Sequence, residues 1–84
     1  MATYTLDNSS GELAAILDTV NRIGGIQTTD PDSDFYDAGL TSVMALPLLL
    51  ELETQFGVSI PDDRFISART ARDLQQIIFD LRKG

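Results

Sequence analysis

Apolar residues recur at helical intervals in three stretches of the chain. Leu13, Ile16, Leu17, Val20 and Ile23 form the first stripe, and Gly24-Gly25 ends it. Ser9 and Glu12 have the Ser-x-x-Glu spacing of a capping box just ahead of it, with Ser10 as an alternative cap. A second helix is predicted from about Ser42 to Phe56, stopped by Gly57. The last opens near Thr70, with Asp73 in a second capping-box-like spacing. It carries Ala71, Leu74, Ile77, Ile78 and Leu81 to a basic end at Arg82-Lys83, which suits the helix dipole. Between these two, Val58-Ser59-Ile60-Pro61 is extended, because the residue before a proline is pushed out of the helical region. Asp62 to Ile66 fits one short helical turn. The expected fold is all-α: a small bundle of three main helices plus one short helix, in one domain over residues 1–84.

Two segments break this simple pattern. Residues 25–41 form a long connection containing Thr-Thr-Asp-Pro-Asp-Ser-Asp. Loops of this length in small domains tend to be functional or disordered. Ile26, Phe35 and Leu40 are spaced as anchors, so an ordered loop is expected. The second helix is apolar on more than one face. Ala45, Leu48, Leu49, Leu52 and Phe56 form one stripe; Val43, Leu46 and Leu50 form another. A helix of a small bundle buries one broad stripe, so the second is either additional core or a surface for a partner. Pro47 cannot donate to the Val43 carbonyl and crowds it, at about 3 kcal/mol in an ordinary helix interior. A bent or irregular turn just after Ser42 is therefore predicted.

Composition narrows the chemistry. The 84 residues include no His and no Cys. That removes imidazole-based catalysis, imidazole and thiolate metal sites, disulfides and thiol redox pairs. Thirteen acids against six bases give a net charge of −7, which argues against nucleic acid or anionic lipid as partners. The start, MATYTLDNSS, lacks the features of a signal peptide, and the longest apolar run, Val43–Leu50, is too short to span a bilayer. The expectation is a monomeric cytoplasmic domain with no catalytic or metal site of its own.

The informative stretch is Asp37-Ala38-Gly39-Leu40-Thr41-Ser42-Val43. Gly39 permits a backbone conformation closed to other residues, and Leu40 can plug inward. Ser42 falls at a helix start, where unpaired N–H groups favour a phosphate ester. A serine in that place is equally a plain N-cap.

The run Asp-x-Gly-Leu-x-Ser, followed by an apolar helix ending Leu52-Glu53-x-x-Phe56-Gly57-Val58-x-Ile60-Pro61, resembles the acyl carrier protein family over roughly residues 10–82. The resemblance implies that Ser42 carries 4′-phosphopantetheine derived from coenzyme A, with Asp37, Gly39, Leu40 and Thr41 shaping its approach. It implies a phosphopantetheinyl transferase, a cargo-loading ligase or synthase, and downstream transferases as partners. A tethered thiol holding cargo as a thioester would explain why the chain itself lacks nucleophile, base and metal.

The sequence departs from the fatty acid carriers at several positions. Those usually have Asp before the serine and Leu after it, where this chain has Thr41 and Val43. The resemblance links that Asp to the magnesium of the transfer step, so the choice of transferase stays open. Fatty acid carriers also place acids early on this helix; here Met44 and Pro47 occupy that stretch, and the first acid is Glu51. Val43, Met44, Leu46 and Leu50 then read as an apolar docking face, or as packing against the loop and the last helix. Such departures resemble carriers of dedicated pathways, and some small carriers with this type of motif accept amino acids. The resemblance leaves the cargo open among fatty acyl, polyketide and aminoacyl groups. The competing reading is an unmodified helical adaptor in which Ser42 is only a cap.

Other acidic patterns carry less. Asp30, Asp32 and Asp34 alternate as in a calcium loop, but Phe35 replaces its glycine and Thr41 its final glutamate. Asp62-Asp63 and Glu51/Glu53 are ordinary solvated carboxylates rather than an acid–base pair. Residues 1–63 hold eleven acids and one base, Arg22, whereas residues 64–84 hold two acids and five bases. The basic tail is expected to pair with the acidic body or to orient a partner. Leu48, Leu52, Phe56, Ile60, Leu74 and Ile78 are expected to line a core or a cargo groove.

Overall fold

The computed structural model describes residues 8–83, with side chains from residue 11 onward. Its elements are α1 (Asn8–Gly24), a 3-10 turn (Ser42–Met44) leading directly into α2 (Ala45–Phe56), α3 (Asp62–Ser67) and α4 (Ala71–Lys83). No strand occurs among the described residues, and the all-helical expectation of three main helices and one short one holds. The signal-peptide reading of the first residues lies outside the described ones. No helix among the described residues is long and apolar enough to cross a membrane.

α1 packs against α2 and α4, and α3 against α4. Ile16 and Val20 of α1, Leu48, Leu49 and Leu52 of α2, Phe65 of α3, and Leu74, Ile77 and Ile78 of α4 are buried together. Leu13, Leu17, Ile23, Phe56 and Leu81 pack half-buried at its margin. Full burial of one such side chain stabilises by about 1.5–3 kcal/mol. Leu48, Leu52, Leu74 and Ile78 are wholly inaccessible and Ile60 nearly so; these residues are core. The buried Thr19 hydroxyl of α1 meets the Ala15 carbonyl (3.0 Å) and the Gln55 side chain of α2 (2.6 Å).

The helix ends follow local rules. The Asn21 carbonyl accepts from Gly25 N (2.9 Å) and Ile26 N (3.2 Å), and the Glu53 carbonyl accepts from Gly57 N and Val58 N in the same pattern. Each closure turns the next apolar side chain back toward the bundle. At the start of α4 the Thr70 hydroxyl accepts from Asp73 N (3.0 Å). The Asp73 carboxylate reaches Arg69 N (3.0 Å), one residue before the usual partner of a capping box.

Three expectations need correction. The backbone is already helical at Ser9 and Ser10, so neither is the α1 cap in the described helix; the Ser9 side chain lies outside the described residues. Glu12 pairs instead with Arg82 across the bundle. The second helix does not begin as α-helix at Ser42, because residues 42–44 form a 3-10 turn, as Pro47 led one to expect. With Met44 at its N-cap, α2 has Pro47 as its third residue. The N–H that Pro47 lacks would have had no partner inside α2, so the interior penalty does not arise.

Candidate functional site

The 25–41 connection is ordered, and its three expected anchors are buried: Ile26, Phe35 and Leu40 are at most 7% exposed. Polar clamps fix what lies between them. The Asn21 side chain donates to the Thr28 carbonyl (2.8 Å) and accepts from Thr28 N (2.9 Å). Asp34 accepts from Tyr36 N (2.8 Å) and Asp37 N (3.2 Å) with one carboxylate oxygen, closing a turn. Its other oxygen takes Arg69 Nε at 2.5 Å. Asp32 takes Arg72 Nε at 2.7 Å. The backbone adds Phe35 N to the Arg69 carbonyl (2.9 Å) and Arg72 N to the Pro31 carbonyl (3.1 Å).

These contacts engage two of the three alternating acids that resemble a calcium loop, and the third, Asp30, accepts from Asp32 N (2.9 Å). Hydrogen bonding to the Arg69 guanidinium holds the Asp34 carboxyl below the usual carboxylate range, helped by the two backbone donors. Arg72 lowers Asp32 in the same way. Arg69, Arg72 and Arg82 thus tie the basic C-terminal segment to the acidic body. Arg64 pairs with Asp80, inside the same segment.

The loop then delivers Ser42. Gly39 has φ +118°, a conformation that side-chain-bearing residues rarely adopt. Leu40 N donates back to the Phe35 carbonyl (2.9 Å), and the Leu40 side chain drops into the core. It seats against Gly24, where an added Cβ would stand 2.6 Å from Leu40 Cδ1. Thr41 is extended (φ −105°, ψ 160°) and occupies the N-cap position of the 3-10 turn without a capping side-chain bond. Ser42 is the first residue inside that turn, not its cap. Its side chain is exposed and makes no hydrogen bond among the described residues. Asp37 is exposed beside the turn, held through its backbone by Asp34.

From Ser42 an apolar strip runs along the outer side of the helix. Val43 is 78% exposed, Leu46 61% and Leu50 53%. Residues 46 and 50 stand one above the other on the same face. Met44 is half-buried and packs against the core, one of its two expected roles, so the most exposed part of the strip is Val43, Leu46 and Leu50. The carboxylates Glu51 and Glu53 do not work as a pair. Glu51 faces Arg22 (3.8 Å), while Glu53 accepts from Ile60 N (2.8 Å) and pins the extended stretch before Pro61.

Sequence reasoning missed three of these roles. Glu53 bonds a residue seven positions on, Asn21 reaches across a helix end, and Arg69 meets Asp34 from thirty-five residues away. None has a local signature, because each partner is met only after the chain has folded back.

The chain matches the family model described as "Phosphopantetheine attachment site" over residues 14–78. It is 44% identical over 46 residues to a probable acyl carrier protein of Caulobacter vibrioides, covering 55% of this chain and 54% of that one. The match therefore spans about half the length of that relative. It is 28% identical over 79 residues to the acyl carrier protein of Chloroherpeton thalassium, covering 94% of this chain and 99% of the relative. Its fold is similar to that of the acyl carrier protein of Thermotoga maritima, with TM-score 0.73 at 21% identity. That superposition covers 89% of this chain and 91% of the other.

Proposed function

The chain belongs to the phosphopantetheine-attachment family of acyl carrier proteins, and on that premise we propose that it is a carrier primed at Ser42. Members of this family are carriers rather than enzymes. The observation that carries the reading is the Ser42 side chain, exposed at the mouth of a loop that holds everything around it. The residues fit the group. An exposed hydroxyl with no hydrogen bond among the described residues leaves room for a phosphodiester. When bound, the arm supplies a thiol that holds cargo as a thioester.

The residues of this chain present that arm rather than react with its cargo. Asp37, Gly39, Leu40 and Thr41 set the approach to Ser42: Gly39 turns the backbone, Leu40 anchors it, and Thr41 carries it extended into the helix. Val43, Leu46 and Leu50 continue the site along α2 as an apolar docking strip for the priming transferase and the cargo-handling enzymes. Early acids are absent from this strip, and Pro47 sits between its leucines. Both features support partners with apolar contact surfaces, and a cargo from a dedicated acyl or aminoacyl pathway.

Incubation with coenzyme A and a promiscuous phosphopantetheinyl transferase, followed by intact-mass measurement, tests the reading. A gain of one phosphopantetheine that disappears in Ser42→Ala supports it. No gain with several transferases would favour an unmodified helical adaptor.

A further inference from the structure

We infer that Asp34 and Arg69 are positioning residues for Ser42, acting as a latch that holds the loop in the conformation a priming enzyme recognises. The inference rests on Ser42 as the attachment point. It starts from the irregular way in which the second helix begins. Residues 42–44 are 3-10, and Pro47 offers no N–H to the Val43 carbonyl. Ala45 N of α2 donates to the Ser42 carbonyl, so Ser42 is placed by the loop before it together with the helix that follows.

What precedes it is a chain of contacts ending at Arg69. Leu40 N bonds the Phe35 carbonyl, and Phe35 N bonds the Arg69 carbonyl. The Arg69 guanidinium takes Asp34 at 2.5 Å and lies 5.0 Å over the Tyr36 ring. Asp34 meanwhile receives the N–H groups of Tyr36 and Asp37. One arginine therefore grips the 34–37 turn by its carboxylate, by a ring face and through its own backbone. Arg fits this better than Lys, because its planar fork bonds and stacks at once.

A single ion pair whose arginine is more than half exposed is screened by solvent and adds little to global stability, which separates a positioning role from a structural one. Releasing the latch lowers the fraction of molecules in the competent conformation. Apparent affinity for the transferase then falls by that fraction while turnover of the bound complex is kept.

The test is steady-state priming with coenzyme A and a transferase that accepts the wild-type protein, with melting temperature measured in parallel. Asp34→Asn keeps an oxygen for the two backbone N–H groups and replaces the oxygen facing Arg69 with an uncharged NH2 that cannot accept its hydrogen bond. Asp34→Asn and Arg69→Gln are each expected to raise KM for the carrier about fivefold, with kcat within about twofold and little change in melting temperature. The double variant is expected to be no worse than either single one, because both break one contact. Asp18→Asn, which removes a carboxylate near Arg22 on α1, controls for net charge and is expected to leave KM unchanged. An unchanged KM in both latch variants, additive effects in the double variant, or the same rise in Asp18→Asn would overturn the inference. If no transferase primes the wild-type protein, it is the attachment reading that fails. Amide exchange then decides the latch: Phe35 and Leu40 exchanging about fivefold faster in Asp34→Asn supports it, and unchanged exchange overturns it.

Discussion

The inward and outward faces of α2 are built from the same kind of residue and do opposite things. Leu48, Leu49 and Leu52 face the other helices and are sealed from solvent. Val43, Leu46 and Leu50 face away, each more than half exposed. Leucine content alone therefore says nothing about whether a position holds the bundle together. The difference comes from what lies opposite: α1 packs against α2 on one side, while the other side is left more than half exposed. An exposed leucine alone is unremarkable, but Leu46 and Leu50 on one helix face, continued by Val43 of the 3-10 turn beside an exposed serine, make a surface.

Truncating the two faces should break the comparison most sharply. Leu52→Ala should lower stability by about 2–5 kcal/mol, because it leaves a cavity in a packed core. At about 4–8 °C per kcal/mol for a domain of this size, thermal melting will show it plainly. Leu46→Ala should stay within about 0.5 kcal/mol of wild type while raising KM for priming. A loss of stability as large as that of Leu52→Ala would place Leu46 in the core and remove the docking strip.

Glu53 belongs to neither face, which sharpens the contrast. Its carboxylate takes the N–H of the nearly buried Ile60, and Glu53→Ala should cost about 1–3 kcal/mol by leaving that donor unpaired. Denaturant unfolding measures the loss, and Glu53→Gln should recover part of it.

Pro47 affects the outer face through the backbone. Pro47→Ala restores an N–H and lets α-helix extend back toward Ser42, with an expected stability change within about 1 kcal/mol. Amide exchange should show the N–H at residue 47 slowed by bonding to the Val43 carbonyl. A rapidly exchanging N–H there would mean that the 3-10 turn is imposed by the loop rather than by the proline.

The smallest expected effect is on the loop side. Asp32 and Asp34 have lowered folded-state pKa values, through Arg72 and Arg69 respectively. Their contribution is present above the ordinary carboxylate pKa of about 4, and is lost as pH falls through the lower folded values. Acid titration followed by amide signals of residues 31–40 should therefore show the loop loosening below about pH 4 before the core melts.

Much of this was legible in the chain because it depends on short-range spacing. The stripes of α1 and α4 are set by 3.6-residue periodicity, and the turn at Gly39 by a conformation that glycine tolerates. The irregular start of α2 is what the missing N–H of Pro47 predicts. The start of α1 was misjudged because Ser-x-x-Glu spacing is only one use for that glutamate: Glu12 instead has Arg82 beside it, a partner seventy residues away. Ser42 looked like a cap because sequence cannot say where 3-10 geometry begins.

By itself the sequence determined the helices, the anchored loop and the motif ending at Ser42, since each follows from residues within about a turn or two of one another. Only the tertiary structure decided which apolar face of α2 is surface, that Met44 turns inward, and that Arg69 and Arg72 grip the loop. Burial and ion pairing depend on which surfaces meet, and surfaces distant along the chain meet only once it is packed.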